Sequence, residues 1–339
     1  MKLIENKKEI KKFFLYNGKE VYVYNEKIDV GGKTLSINEN DLYSFTNGVF
    51  YQTVLDKENK FNYTLWRYDG SSFAKDNFQY KTKKYLSPYK SCSYEFKKGV
   101  SHISLYCNEN ESPTDFSVEG RYEVINQDND SDILILYHIL AKELLFYTKT
   151  GERLWEYKVE EGREIHESGV MVVDDIVVIP CTEDDAPISV EGYDLHTGEK
   201  LWELDDEEDC DYCYKMGTNK MLYALTSFRC KDHSVELRLT QLNPFTGEVE
   251  MKVLKEGAYW DDIHPASTTI HGNKLFYVNQ IRKEGCSVGV VDLETKELID
   301  DTPLESQGNT VEKPIVTDNK IYVRIRELNE LRIYENEFK

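Results

Sequence analysis

"YDLHTGEKLWEL", residues 193–204, reads as a strand, a tight turn and a second strand. Tyr193 and Leu195 lead into His196-Thr197-Gly198, and Leu201, Trp202 and Leu204 lead away from it. A tight hairpin turn needs a residue at positive φ, and glycine meets that need without a steric penalty from Cβ. The unit is copied along the chain. "LFYTKTGERLWEY" sets Gly151 and Trp155 in the relation of Gly198 and Trp202, 47 residues earlier. "LTQLNPFTGEVEMKV" sets Gly247 49 residues later, and "GVVDLETKELIDD" puts Lys296 in the glycine position 49 residues after that. Lys296 there predicts a slightly strained turn or one of another type.

Upstream of each copied hairpin lies a further strand: "DIVVIPC", "KMLYALTSF" and "KLFYVNQI". A short segment precedes that strand, such as "ESGVMVV" or "HPASTTI". Four strands per repeat, with no 3.6-residue periodicity between them, are the grammar of propeller blades. The expected fold is all-β, a single β-propeller domain over residues 1–339. Dividing 339 residues by a period near 48 predicts seven blades, with six or eight as alternatives. The C-terminal "ELRIYENEF" matches the strand before the turn, and then the sequence ends. The last blade thus needs an outermost strand, and the hairpin-like "FFLYNGKEVYVYN" near the N-terminus is expected to supply it. Pairing the two ends in this way closes the ring and removes open sheet edges.

The spacing Asp194-x-x-Thr197-Gly198-x-x-x-Trp202 resembles the pyrroloquinoline-quinone-type repeat of quinoprotein-like β-propellers, within the wider WD40/YVTN-like class; the match is best over residues 140–300. Dehydrogenases of that family hold a planar quinone against a tryptophan and a vicinal disulfide, beside a calcium ion. This sequence has no Cys-Cys pair and little length for their insertions, and fold does not imply function. No cofactor is expected. Trp155 and Trp202 are read as packing between blades.

No short motif proposes chemistry. The chain has seven cysteines, an odd number read as reduced and mostly buried thiols. "CDYC", Cys210 to Cys213, has no second pair to complete a zinc site. The seven histidines show neither H-x-H nor H-E-x-x-H spacing, and His196 falls in the hairpin turn, in solvent. No nucleophile elbow or phosphate-binding glycine loop is present.

With 62 acidic against 42 basic residues, the formal charge is −20. Such a field repels nucleic acid and anionic membrane surfaces. No apolar run spans a bilayer, and "MKLIENKKEIKKFF" lacks the apolar core and cleavage site of a secretory signal, so a cytoplasmic, monomeric protein is expected. The densest acidic segments fall in connections predicted on one face of the propeller. They are Glu183, Asp184 and Asp185; Asp205, Asp206, Glu207, Glu208 and Asp209; Asp261 and Asp262 beside Tyr259 and Trp260; and Asp300 with Asp301. Crowding carboxylates costs self-repulsion, which suits a face that meets a cationic partner, and exposed aromatics rimmed by charge suit an interface anchor. The expected function is non-catalytic binding of a basic protein, in its sharpest form as an immunity-type inhibitor of a nucleic-acid-degrading toxin. The rival expectation is a small-molecule or metal-binding enzyme or sensor using the central channel, with calcium the first ion to try.

Overall fold

The computed structural model describes the chain except residues 17, 38–41, 47–48, 56–60, 69–72, 81–83, 87–90, 107–113, 126–132, 139, 149, 184–185, 206–212, 231–233, 257–262, 264–266, 282–284, 305–309 and 339. It gives backbone alone at strand residues 16, 42–46, 49–55, 61–68, 73–80, 84–86, 91–95, 105–106, 114, 186–187, 229, 280–281 and 285.

The N-terminal strand is β1 (Lys2–Lys7). Sheet 1 follows as β2 (Lys12–Tyr16), β3 (Lys19–Val23), β4 (Lys27–Val30) and β5 (Lys33–Ser36). Sheet 2 is β6 (Leu42–Thr46), β7 (Val49–Leu55), β8 (Phe61–Tyr68) and β9 (Phe73–Tyr80). Sheet 3 is β10 (Lys84–Leu86), β11 (Ser91–Lys97), β12 (Val100–Tyr106) and β13 (Thr114–Glu119). Sheet 4 is β14 (Tyr122–Val124), β15 (Ile133–His138), β16 (Glu143–Thr148) and β17 (Arg153–Lys158). Sheet 5 is β18 (Glu164–Ile165), β19 (Met171–Val173), β20 (Ile176–Glu183), β21 (Ala186–Asp194) and β22 (Lys200–Leu204), with one 3₁₀ turn at Glu167–Gly169. Sheet 6 is β23 (Lys215–Met216), β24 (Leu222–Arg229), β25 (Val235–Leu242) and β26 (Val249–Glu256). Sheet 7 is β27 (Thr268–His271), β28 (Lys274–Ile281), β29 (Gly285–Asp292) and β30 (Glu297–Pro303). Sheet 8 is β31 (Ile315–Val316), β32 (Lys320–Ile325) and β33 (Glu330–Glu335), with β1 paired outside β33.

Sheets 1–4, 6 and 7 are antiparallel meanders in chain order, the arrangement that the copied hairpin and its two upstream strands predict; in sheet 5 both β18 and β19 pair with β20, and in sheet 8 β1 is added beyond β33. Among the described residues the strands form eight sheets, where the period predicted seven with six or eight as alternatives. The estimate rested on the regular stretch between Gly151 and Lys296, whereas sheet 1 is completed within Lys12–Ser36, well under one period.

The chain divides into two compact units, Met1–Thr34 with Cys213–Lys339, and Leu35–Tyr212. Within each, consecutive sheets pack face to face. In the second unit, Ile103, Leu136 and Leu145 form a core between sheets 3 and 4, and Ile135, Phe146, Val177 and Ile179 form one between sheets 4 and 5. In the first, Leu225, Leu237, Leu275 and Tyr277 lie between sheets 6 and 7, while Phe276, Val288 and Val323 lie between sheets 7 and 8. β28 shows the logic. Leu275 and Tyr277 face one neighbour, and Phe276 and Val278 face the other, because successive side chains leave a strand on opposite sides. Strands sandwiched on both faces therefore read as apolar runs instead of alternating patterns.

The copied turn is an Asx-type cap. Asp194 Oδ1 accepts from His196 N (3.0 Å), Thr197 N (2.8 Å) and Thr197 Oγ1 (2.8 Å), and Gly198 sits at φ +74°. Asn243 and Asp292 repeat the role, accepting from Phe245 N and from Glu294 N and Thr295 N. Lys296 keeps the same turn at φ +55°, so the substitution is carried as local strain and the turn type is unchanged.

The strand that joins the two ends of the chain is not the expected one. Lys2–Lys7 pairs with β33, Lys2 opposite Glu335 and Asn6 opposite Arg332, and "FFLYNGKEVYVYN" instead builds β2 and β3. The physical reason is apolar content. Phe13, Val21, Tyr22 and Val23 are buried, whereas five of the six side chains of β1 are exposed, as an outermost strand allows.

Candidate protein-binding interface

Trp155 and Trp202 belong to the scaffold. Trp155 stacks on Phe146 with centroids 3.8 Å apart and planes 7° from parallel, and its Nε1 donates to the carbonyl of Leu195 in sheet 5 at 2.8 Å. A Cβ on Gly198 would lie 2.6 Å from the Trp155 ring, so the glycine of one sheet also makes room for the tryptophan of the sheet before it. Trp202 lies opposite Gly192 in register, and a Cβ there would stand 2.1 Å from its ring.

Behind these residues sits a polar cluster between sheets 4 and 5. Tyr157 Oη meets Cys181 Sγ at 3.1 Å, Tyr193 Oη donates to the buried Glu191 at 2.6 Å, and Lys200 Nζ reaches the same carboxylate at 3.3 Å. Burial pushes the Cys181 thiol above its ordinary value, which leaves it protonated and inert. Burial works against the Lys200 ammonium, but bonds to Glu203 and Glu191 hold it above its usual value. Cys181, Cys213 and Cys286 are buried thiols, and Cys230 is half-buried. His196 is exposed, with Nε2 3.1 Å from Asp175 Oδ1. Among the described residues, no three His, Cys, Asp or Glu side chains converge to hold a metal ion.

Five carboxylates that face solvent stand at one end of sheets 4 and 5, while Glu152, Asp174, Asp175 and Glu199 are exposed at the other. Glu183 closes β20 and Asp205 follows β22; the register pairs Glu183 with Ala186 and Leu204 with Val190, so both leave sheet 5 at the same end. Both are exposed. The connection from β17 to β18 arrives beside them, because a Cβ on Gly162 would come within 3.8 Å of Glu183 Oε1. That connection brings Glu160, Glu161 and Glu164, all exposed. Two cations offset the five acids in part: Lys142 Nζ lies 2.6 Å from Glu164, and Arg163 Nε lies 3.7 Å from Glu160. The matching end of sheet 3 is basic, with Lys97, Lys98 and Arg121; there the Gly120 N–H donates to the Gly99 carbonyl at 2.8 Å. At this end, acid over sheets 4 and 5 thus gives way to a net basic end of sheet 3.

Of the residues predicted from sequence for this surface, Glu183 and Asp205 stand together. Asp184, Asp185, Asp206, Glu207, Glu208, Asp209, Tyr259, Trp260, Asp261 and Asp262 lie outside the described residues. Asp300 and Asp301 are corrected: both lie within β30, where Asp300 accepts from the Met1 amino group at 2.9 Å and Asp301 faces Lys255 at 3.6 Å. Partners from the neighbouring sheets, not an open connection, hold them. Glu160, Glu161 and Glu164 escaped the sequence reading, although "VEEGREI" carries the signal: an acidic pair before a glycine where one blade hands over to the next.

No family model matches the chain, and no curated protein sequence does. The crystal structure of BamB from Moraxella catarrhalis, a β-propeller, is similar to it, with a TM-score of 0.57 at 11% identity over 99% of this chain and 98% of that one. The chain has the β-propeller fold. In this propeller the copied Thr-Gly turns and the acidic connections leave sheet 5 at opposite ends, so scaffold and candidate interface are separated along the strands.

Proposed function

We propose that this propeller is a non-catalytic binding protein that recognises a basic protein partner through the acidic end of sheets 4 and 5. The reading takes residues 1–339 as one propeller domain working as a monomer in the cytoplasm. The observation that carries it is the convergence of Glu160, Glu161, Glu164, Glu183 and Asp205 at one end of two adjacent sheets. Like charges held close raise the free energy of the unbound surface, and a cationic partner relieves that repulsion. The segments 206–209 and 261–262 extend the same acidic character in sequence. In its sharper form the partner is a nucleic-acid-degrading toxin, whose phosphate-binding cleft has the cationic character that such a surface complements.

The test is capture from the native host by the immobilised chain, followed by salt titration of the recovered complex. A basic partner that dissociates steeply as salt rises is expected. A variant carrying Glu160→Lys, Glu161→Lys and Glu183→Lys should keep its melting temperature, since all three side chains are exposed, and lose the partner. An acidic partner, or a complex indifferent to salt, overturns the reading.

A further inference from the structure

β1 has no buried side chain of its own; backbone pairing and charge hold it, with Lys7 over the Tyr22 ring at 4.8 Å and the preceding Met1 packed, partly buried, against the core between sheets 7 and 8. Its ladder to β33 is interrupted by a register shift between Leu3 and Glu5, and Leu3 and Ile4 are each about half exposed. The principal anchor is Glu330, whose side chain is 3% exposed. Glu330 Oε1 accepts from Asn6 Nδ2 (2.7 Å) and from Arg332 Nε (2.8 Å), and Oε2 accepts from Lys8 Nζ. Lys2 Nζ reaches Glu335 at 3.3 Å, and the Met1 amino group reaches Asp300. Burial pushes the Glu330 carboxyl up, but the bonds from Lys8, Arg332 and Asn6 outweigh it and hold the group below its usual range. Those bonds therefore hold at neutral pH and fail as acid protonates the carboxylate.

Immediately after β1 the chain turns at Glu9, which stands at φ +64°, a left-handed conformation strained for any residue with a Cβ. One residue later it is fixed. Ile10 is fully buried, its N–H donates to Asn329 O at 2.8 Å, and its carbonyl accepts from Arg324 Nε at 3.0 Å. A short strained hinge between a lightly held strand and a fixed anchor is the arrangement that favours strand exchange. Withdrawal of β1 bares the outer edge of β33, and an open edge recruits another strand. The strand that meets Glu330 and Glu335 with Asn6, Lys8 and Lys2 in register is another β1.

We propose that β1 is an exchangeable strap, which swings out at Glu9 and pairs with β33 of a second copy of this chain to form a strand-swapped dimer. The double variant Lys2→Cys/Glu335→Cys reports the exchange, because these residues face each other across the two strands. The protein is held concentrated at about pH 3 in about 0.5 M NaCl, below the ordinary carboxylate range, returned to neutral pH and oxidised, with the unsubstituted chain as the control for native thiols. Mixed isotope-labelled and unlabelled chains then give a covalent dimer whose 2–335 cross-links join different chains. Glu9→Gly, which relaxes the closed hinge, lowers the dimer yield. Glu330→Gln raises the yield and speeds amide exchange across β1 by about tenfold, the loss expected when a charge-assisted anchor is removed. Cross-links confined to single chains overturn the proposal. So does amide exchange in unsubstituted β1 as slow as in β32, a result that needs no variant to fold.

Discussion

Gly198 serves two constraints at once, and only one of them is visible in sequence. Its φ of +74° follows from the turn, which the Thr-Gly spacing announces. The 2.6 Å approach of the Trp155 ring involves a residue 43 positions earlier, and no local pattern announces it. The consequence is measurable by urea denaturation. Gly198→Ala meets both the strained dihedral and the ring, so it should destabilise by about 2–3 kcal/mol, more than a positive-φ penalty alone. Trp155→Ala should cost about 3 kcal/mol, the lower end for an aromatic because the ring is only partly buried. Trp155→Phe keeps a ring against Phe146 but deletes the donor to Leu195 O, a difference of about 1 kcal/mol. Equal losses for the Ala and Phe variants would mean that stacking contributes nothing beyond the hydrogen bond.

The hairpin was legible as an element because its turn chemistry is local; the strap and the bulges were not, because they depend on pairing. Outermost strands β17, β22, β26, β30 and β1 each carry a register shift against their neighbour. Bulges bend an edge away from flat pairing and so protect it, yet no composition marks them in advance. The turn itself gives a pH prediction. Hydrogen bonds from the Thr197 backbone and hydroxyl hold the Asp194 carboxyl below its usual value, and Asp292 is likewise lowered, bonds from Thr295 and Lys274 outweighing burial. A carboxylate depressed in the folded state adds stability above its unfolded pKa of about 4, and that stability is lost as pH falls through the folded value. Asp194→Asn keeps an acceptor but cannot titrate. Its denaturation midpoint should therefore lie below the parent's at pH 7, where the charged acceptor contributes, and converge on it as pH falls below about 4. An unchanged acid slope would show that the capped turn is not among the groups that govern acid unfolding.

At the scale of the whole molecule, charge acts in two opposing ways, and salt separates them. The net charge of −20 is a long-range repulsion that every folded copy carries, whereas the strap is held by short-range attractions at Glu330 and Glu335. Raising NaCl from about 10 mM to about 150 mM shortens the screening length from about 30 Å to about 8 Å. Repulsion between distant carboxylates is then largely removed, so the melting temperature should rise by a few degrees. The same change weakens Lys2–Glu335 and, to a lesser extent, the Lys8–Glu330 contact, whose lysine is 63% exposed. Amide protection along β1 should fall while protection in β32 holds or increases. The two responses have opposite sign because one averages over the whole surface and the other is set by a few contacts at a single strand. Hydrogen exchange and calorimetry on the same sample at both salt concentrations measure them together. A parallel rise in both would mean that backbone pairing, and not charge, holds β1 in place.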